Sequence, residues 1–93
     1  VVLDDEKNLD LNIFPNPSDG TANIEFVLNS SEKVLIELYN ILGKSLVNKS
    51  FDLQKGVNNI KLKDIYNDIS TGTYLINVIM ENKTLSSSII ITN

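Results

Sequence analysis

A chain of 93 residues, 42% apolar and 22% charged, has the composition of a folded domain and room for one hydrophobic core, which excludes a disordered chain and leaves no space for a second domain. Cysteine is absent, so neither disulfides nor a thiolate zinc site can supplement that core, and apolar packing must hold it. Every basic residue is Lys, none is Arg, and the net charge is −4; phosphate readout depends on clustered cations and guanidinium forks, so nucleic acid is excluded as a partner.

The chain opens on Val1, not Met, as a piece of a longer polypeptide would. Residues 1–8 (VVLDDEKN) are acidic and aperiodic after the third position and read as the end of a linker, with the domain itself running over 9–93. Leu9, Leu11 and Ile13 then alternate with Asp10 and Asn12, the two-residue period of a half-buried strand. Phe14-Pro15-Asn16-Pro17-Ser18-Asp19-Gly20 removes two backbone donors and fixes two φ angles, so a rigid corner follows.

The clearest amphipathic strand is Thr21 to Leu28, with Ala22, Ile24, Phe26 and Leu28 on one face. After the polar turn Asn29-Ser30-Ser31-Glu32, residues Lys33 to Tyr39 alternate again through Val34, Ile36 and Leu38, and are expected to pair with the preceding strand as a hairpin. Asn40-Ile41-Leu42-Gly43 makes the next turn, with Gly43 free to take positive φ. Lys44 to Phe51 is β-prone with irregular alternation, which predicts a bulge. Lys55-Gly56 turns into a fifth strand, Val57 to Lys63, with Ile60 and Leu62 inward. Asp64 to Gly72 is too short and turn-rich for a stable helix and reads as an ordered loop. Thr73 to Met80, with Tyr74, Ile76, Val78 and Met80 on one face, and Thr84 to Thr92 complete seven strands. Seven short strands separated by turns fit an all-β antiparallel sandwich or a small barrel, and the expectation is two packed sheets, a seven-stranded antiparallel sandwich of immunoglobulin or fibronectin type. No apolar run reaches the ~20 residues that span a bilayer, and no basic stretch leads into an apolar one at the N-terminus.

With neither His nor Cys, the usual neutral-pH base, thiolate nucleophile and imidazole ligand are missing, and a small sandwich without Trp offers no sugar platform for a carboxylate pair. The chain is therefore read as non-catalytic, with no cofactor. Asp4, Asp5 and Glu6 with Asp10 or Asp19 match no calcium-loop spacing and read as a solvated acidic linker, so no metal ligand is assigned. The triplets Asn29-Ser30-Ser31, Asn48-Lys49-Ser50 and Asn82-Lys83-Thr84 fit the N-glycosylation acceptor pattern, and in a chain this rich in Asn, Ser and Thr chance accounts for them. Lys33, Lys44, Lys49, Lys61 and Lys63 are interrupted by Glu37 and Asp64 and read as solubility and edge protection. Tyr39, Tyr66 and Tyr74 read as core residues whose hydroxyls find backbone partners.

Four segments, in order, resemble one family. Ile13-Phe14-Pro15-Asn16-Pro17 resembles its opening aromatic-Pro-Asn-Pro. Leu38-Tyr39-Asn40-Ile41-Leu42-Gly43-Lys44 is similar to its central tyrosine, turn, Gly and cation. Leu53-Gln54-Lys55-Gly56-Val57-Asn58-Asn59-Ile60 and Ile69-Ser70-Thr71-Gly72-Thr73-Tyr74-Leu75-Ile76 are similar to its Leu-Gly-Asn-Ile pattern and its Gly-x-Tyr strand entry. The family is the type A C-terminal sorting domain of the type IX (Por) secretion system of Gram-negative bacteria. One feature of its pattern is missing, since no cation follows Lys83.

The resemblance implies a non-catalytic export label. Its partners would be the type IX outer-membrane translocon, a sortase-like protease that removes the label, and an upstream cargo domain in the same polypeptide. The cargo would cross the periplasm to be secreted or held at the cell surface, and the cut would fall in or before Val1 to Asn8. Pro15, Asn16, Pro17, Gly43, Lys44, Gly72 and Tyr74 are the residues expected to shape the recognised surface, and turn building alone would also explain them. The alternatives are an immunoglobulin- or fibronectin-like spacer, an adhesion module and a carbohydrate-binding module of a secreted protein.

Overall fold

The computed structural model describes residues 10–92; the proposed linker and Leu9 lie outside them. Alternating sequences become seven strands: β1 (Leu11–Phe14), β2 (Asn23–Leu28), β3 (Glu32–Asn40), β4 (Ser45–Leu53), β5 (Gly56–Lys61), β6 (Gly72–Ile79) and β7 (Thr84–Ile91). They form two antiparallel sheets, one in the order β1-β2-β5 and one in the order β4-β3-β6-β7. The fold is the all-β, two-layer sandwich that the alternation predicts.

The inward face of each strand supplies the core. Ile24, Phe26 and Leu28 of β2 are fully buried together with Val34, Ile36 and Leu38 of β3, Ile76 and Val78 of β6, and Ile89 and Ile91 of β7. Because side chains alternate across a pleated strand, one apolar residue in two is enough to line one side of each sheet.

The expected hairpin of β2 with β3 does not form. β2 pairs with β1 and β5, and β3 pairs with β4 and β6. Both strands carry a continuous apolar face, and stacking them in opposite layers buries those faces against each other, which side-by-side pairing in one sheet would not do. The short segment after Leu28 is therefore a sheet-to-sheet crossing. β5 also ends earlier than its alternation suggests. Leu62 is buried inward as expected, but Leu62 to Asp64 curl into a single 3-10 turn, whose first amide donates to the Ala22 carbonyl at 2.9 Å.

The predicted irregularity of β4 is a bulge. Leu38 faces Val47 and Tyr39 faces Ser45, leaving Leu46 as an extra residue. Lys49, opposite the buried Ile36, is directed to the inner side of this edge strand. Its ammonium donates to the Asp64 carbonyl at 3.1 Å and lies 5.9 Å from the centre of the Phe51 ring. A bulge and an inward lysine both spoil an edge for pairing with another chain, so Lys49 protects the edge while bridging to the turn beyond β5.

The registers define two ends. Phe14, Asn23 and Lys61 are aligned at one end of the three-stranded sheet, and Asn40 and Tyr74, with Gly72 and Ile91, at the same end of the other. Leu28 with Gly56, Glu32 with Leu53, and Ile79 with Thr84 lie at the opposite end. There Asp10 and Lys83 pair at 3.7 Å, so the described chain begins at the end farthest from the proline corner.

Phe26 is 1% exposed at the centre of the core, and Phe26→Ala is expected to destabilise by about 3–5 kcal/mol. That is a large share of the ~5–15 kcal/mol typical of a domain. Val57→Ala, at an exposed site on β5, should change stability by less than about 0.5 kcal/mol. Urea unfolding of the two variants distinguishes them, and equal midpoints would contradict this core.

Candidate recognition surface

The proline corner crosses between the layers. β1 ends at Phe14, and cis peptide bonds join Phe14 to Pro15 and Asn16 to Pro17. From there the chain meets the outer edge of β7. Ser18 donates its amide to the Ile90 carbonyl at 2.9 Å and accepts from the Thr92 amide at 2.7 Å, a one-residue parallel bridge opposite Ile91. Asn16 repeats the pattern with its side chain. Its Nδ2 donates to the Ser88 carbonyl at 3.1 Å and its Oδ1 accepts from the Ile90 amide at 2.9 Å. Proline has no backbone donor, so the asparagine amide supplies one where the main chain on either side cannot. Ser18 is buried, and its Oγ accepts from the Gly20 amide at 3.1 Å, so each of its polar groups has a partner.

Tyr74, near the start of β6, is buried and donates its hydroxyl to the Ser70 carbonyl at 2.7 Å. This is the tyrosine corner of sandwich folds, in which a ring in the core ties down the connection preceding its strand. Gly72 lies between the two, with φ +154, and a Cβ there would sit 3.7 Å from the Tyr74 ring. The expectation that tyrosines serve the core holds for Tyr74 but not for Tyr39. Tyr39 is half-buried on the outer face beside Leu75, and donates to Glu37 Oε1 at 3.0 Å. That carboxylate holds the Tyr39 phenol protonated to higher pH than a free tyrosine, with partial burial adding to the effect.

The β3–β4 turn is fixed by Asn40. Its Oδ1 accepts from the amides of Leu42 and Lys44, both at 3.0 Å, while its main chain bonds Gly43 and Lys44 at 2.9 and 3.0 Å. Gly43 closes the turn at φ +85, a left-handed conformation that residues with a Cβ adopt at a cost. Lys44 is exposed beside it.

All seven residues singled out in the sequence fall at the proline end, but they are not one contiguous patch. Gly43 and Tyr74 line a shallow hollow of about 350 Å³ on the outer face of the four-stranded sheet, with Tyr39, Ile41 and Leu75 as its apolar lining. Ser88 closes one side, and its carbonyl is the one bonded by Asn16, which places Pro15-Asn16-Pro17 on that flank. Gly72 and the buried Tyr74 ring act from beneath. Sequence reasoning passed over Ile41 and Leu42, which are 77% and 88% exposed. The available signal was two aliphatic residues set between Asn and Gly in a turn.

Among the described residues, no three carboxylates gather to hold a cation, and no helix is long and apolar enough to cross a membrane. The site is the end of a two-layer sandwich, built of turns held by hydrogen bonds. A family model described as a secretion system C-terminal sorting domain matches residues 12–92. The chain belongs to that family, the type IX secretion sorting domains. No curated protein matches the sequence significantly.

Asn16→Ala should remove both side-chain bonds to β7 and cost about 1–2 kcal/mol. Amide exchange at Ile90 should accelerate in this variant more than at Ile76, which is paired within the sheet. Equal acceleration at both would mean that the latch is not local. Asp19 offers a pH test. Its carboxylate accepts from Thr21 Oγ1 at 2.6 Å and from the Thr21 amide at 3.2 Å, bonds that favour the ionised form and hold its pKa below the ordinary 3.8. A folded pKa below the unfolded one contributes stability that is present above the ordinary value and lost as pH falls through the folded one. NMR titration should find the Asp19 midpoint below 3.8 and moved up toward it in Thr21→Ala.

Proposed function

We propose that this chain is a non-catalytic secretion label that directs an upstream cargo domain of the same polypeptide through the type IX outer-membrane translocon. The observation that carries the reading is the family match over residues 12–92, together with the convergence of three of the four family-like segments, those of Pro15, Gly43 and Gly72, on one end of the sandwich, while the Leu53–Ile60 turn lies at the other. The cargo passes through the periplasm to the surface of a Gram-negative cell, and a sortase-like protease removes the label in or before Val1 to Asn8. The described part begins at the Asp10 end, so cargo and recognition are assigned to opposite ends of one rigid body.

Recognition is assigned to the surface shaped by Pro15, Asn16, Pro17, Gly43, Lys44, Gly72 and Tyr74. Bonded turns support this because a surface ordered before binding loses little entropy when a partner engages it. Kinship with immunoglobulin and fibronectin sandwiches belongs to the same reading, and the Tyr74 corner supports it.

The test is a fusion of a signal peptide, a fluorescent reporter and residues 1–93, expressed in a bacterium that has the type IX pathway. The reporter should appear on the cell surface or in the medium, and do neither in a strain lacking the translocon. A reporter retained in the periplasm of the competent strain would overturn the proposal.

A further inference from the structure

Turn tips in soluble domains are ordinarily polar, because their side chains face water. Three connections at the Asp10 end obey this rule: Asn29-Ser30-Ser31, Gln54-Lys55 and Glu81-Asn82-Lys83. The β3–β4 turn at the proline end does not. It projects Ile41 and Leu42 into solvent, 77% and 88% exposed, the two most exposed large apolar residues described.

This exposure is built in. Asn40 holds the turn through its side-chain oxygen and its main chain, so the two side chains cannot fold back onto the core without breaking those bonds. Behind the tip the apolar surface continues into the hollow lined by Tyr39, Ile41 and Leu75. The tip therefore meets water at a standing hydrophobic cost that a partner could relieve, with little left to order on binding.

We propose that Ile41 and Leu42 form a two-residue apolar plug that enters an apolar socket in a protein of the secretion apparatus, with Lys44 meeting a carboxylate at the socket's rim. This rests on the sorting reading and names the element that makes the contact. Lys44 is the only charged residue from Asn40 to Ser45. A socket that swallows its neighbours draws its ammonium to the boundary, where an acidic group satisfies it. A membrane is the poorer occupant. Two aliphatic side chains bring about eight carbons, fewer than a single myristoyl chain, which itself binds bilayers only marginally. The tip also lacks the aromatic residues and clustered cations of interfacial anchors, and the chain's net charge of −4 is repelled by anionic lipid.

The test uses the reporter fusion with Ile41→Ser/Leu42→Ser, Lys44→Glu, and Val57→Ser as a control, since Val57 is 69% exposed toward the other end. The purified variants should melt within about 3 °C of the parent, because the substituted groups are solvated. The double variant should lose at least roughly tenfold in exported reporter, the Lys44 variant about fivefold, and Val57→Ser almost nothing. Failure of the unsubstituted fusion to be exported would remove the sorting reading and this inference together. Normal export of the double variant, or an equal loss in Val57→Ser, would overturn the plug and leave the sorting reading standing. Two further measurements test the occupant: co-sedimentation with vesicles containing phosphatidylglycerol and lipopolysaccharide, and analytical ultracentrifugation of the 93-residue chain. The expected results are no vesicle binding and no tip-dependent self-association. Vesicle binding or dimerisation abolished by the double substitution would assign the tip to a lipid surface or to a second copy instead.

Discussion

The carboxamide of Asn16 stands against β7 as the peptide of a neighbouring strand would, donating to the Ser88 carbonyl and accepting from the Ile90 amide. Two residues on, the main chain of Ser18 makes the same pair of bonds one step further along β7. Together they form a two-rung parallel ladder in which one rung is a side chain. This contact joins the two layers by hydrogen bonds in a chain with no disulfide. It covers the later part of the β7 edge with a segment whose flanking prolines have no amide to offer a further strand. Closure and edge protection are thus one structural act. On the opposite seam the same need is met differently, by the bulge at Leu46 and by Lys49 reaching Asp64.

What the sequence disclosed follows from which constraints are local. Alternation along Ile24, Phe26 and Leu28, or along Ile76 and Val78, reports burial directly, because the pleat allows only two faces. Strand positions, the bulge in β4 and positive φ at Gly43 were therefore legible. The partner of each strand was not. Nothing in the turn from Asn29 to Ser31 distinguishes a hairpin from a crossing between sheets, since both need a short polar connection; the choice depends on how two apolar faces stack once other strands are present. The role of Asn16 was hidden for a related reason. Its partners are 72 and 74 residues away, and a corner rich in Pro and Asn looks the same whether its side chains face water or an edge strand.

The candidate surface shows the same division. The family resemblance pointed to Pro15, Asn16, Pro17, Gly43, Lys44, Gly72 and Tyr74, and the strand registers bring all of them to one end. Yet one of the seven expected residues acts from inside the structure. Tyr74 is 8% exposed, and its hydroxyl ties down Ser70, so it shapes the surface without belonging to it. The two exposed apolar residues of the tip, Ile41 and Leu42, were covered by the ordinary assumption that turn tips are polar.

On the proposed reading, an export label serves cargoes of unrelated shape, which constrains where its information can lie. Contacts near the point of attachment would vary with whatever domain is joined there, through steric overlap and local charge. Placing the stiffened turns at the far end of a two-layer sandwich lessens that dependence, because a domain joined at the Asp10 end is kept the length of the strands away from them. The seams matter for the same reason. If the β1–β7 side opened, the proline corner would lose its fixed relation to the β3–β4 turn, and an apolar tip on a mobile end would be an aggregation hazard instead of an address. Rigid closure at Asn16 and Ser18 is therefore the condition under which two exposed aliphatic residues can be kept on a secreted domain.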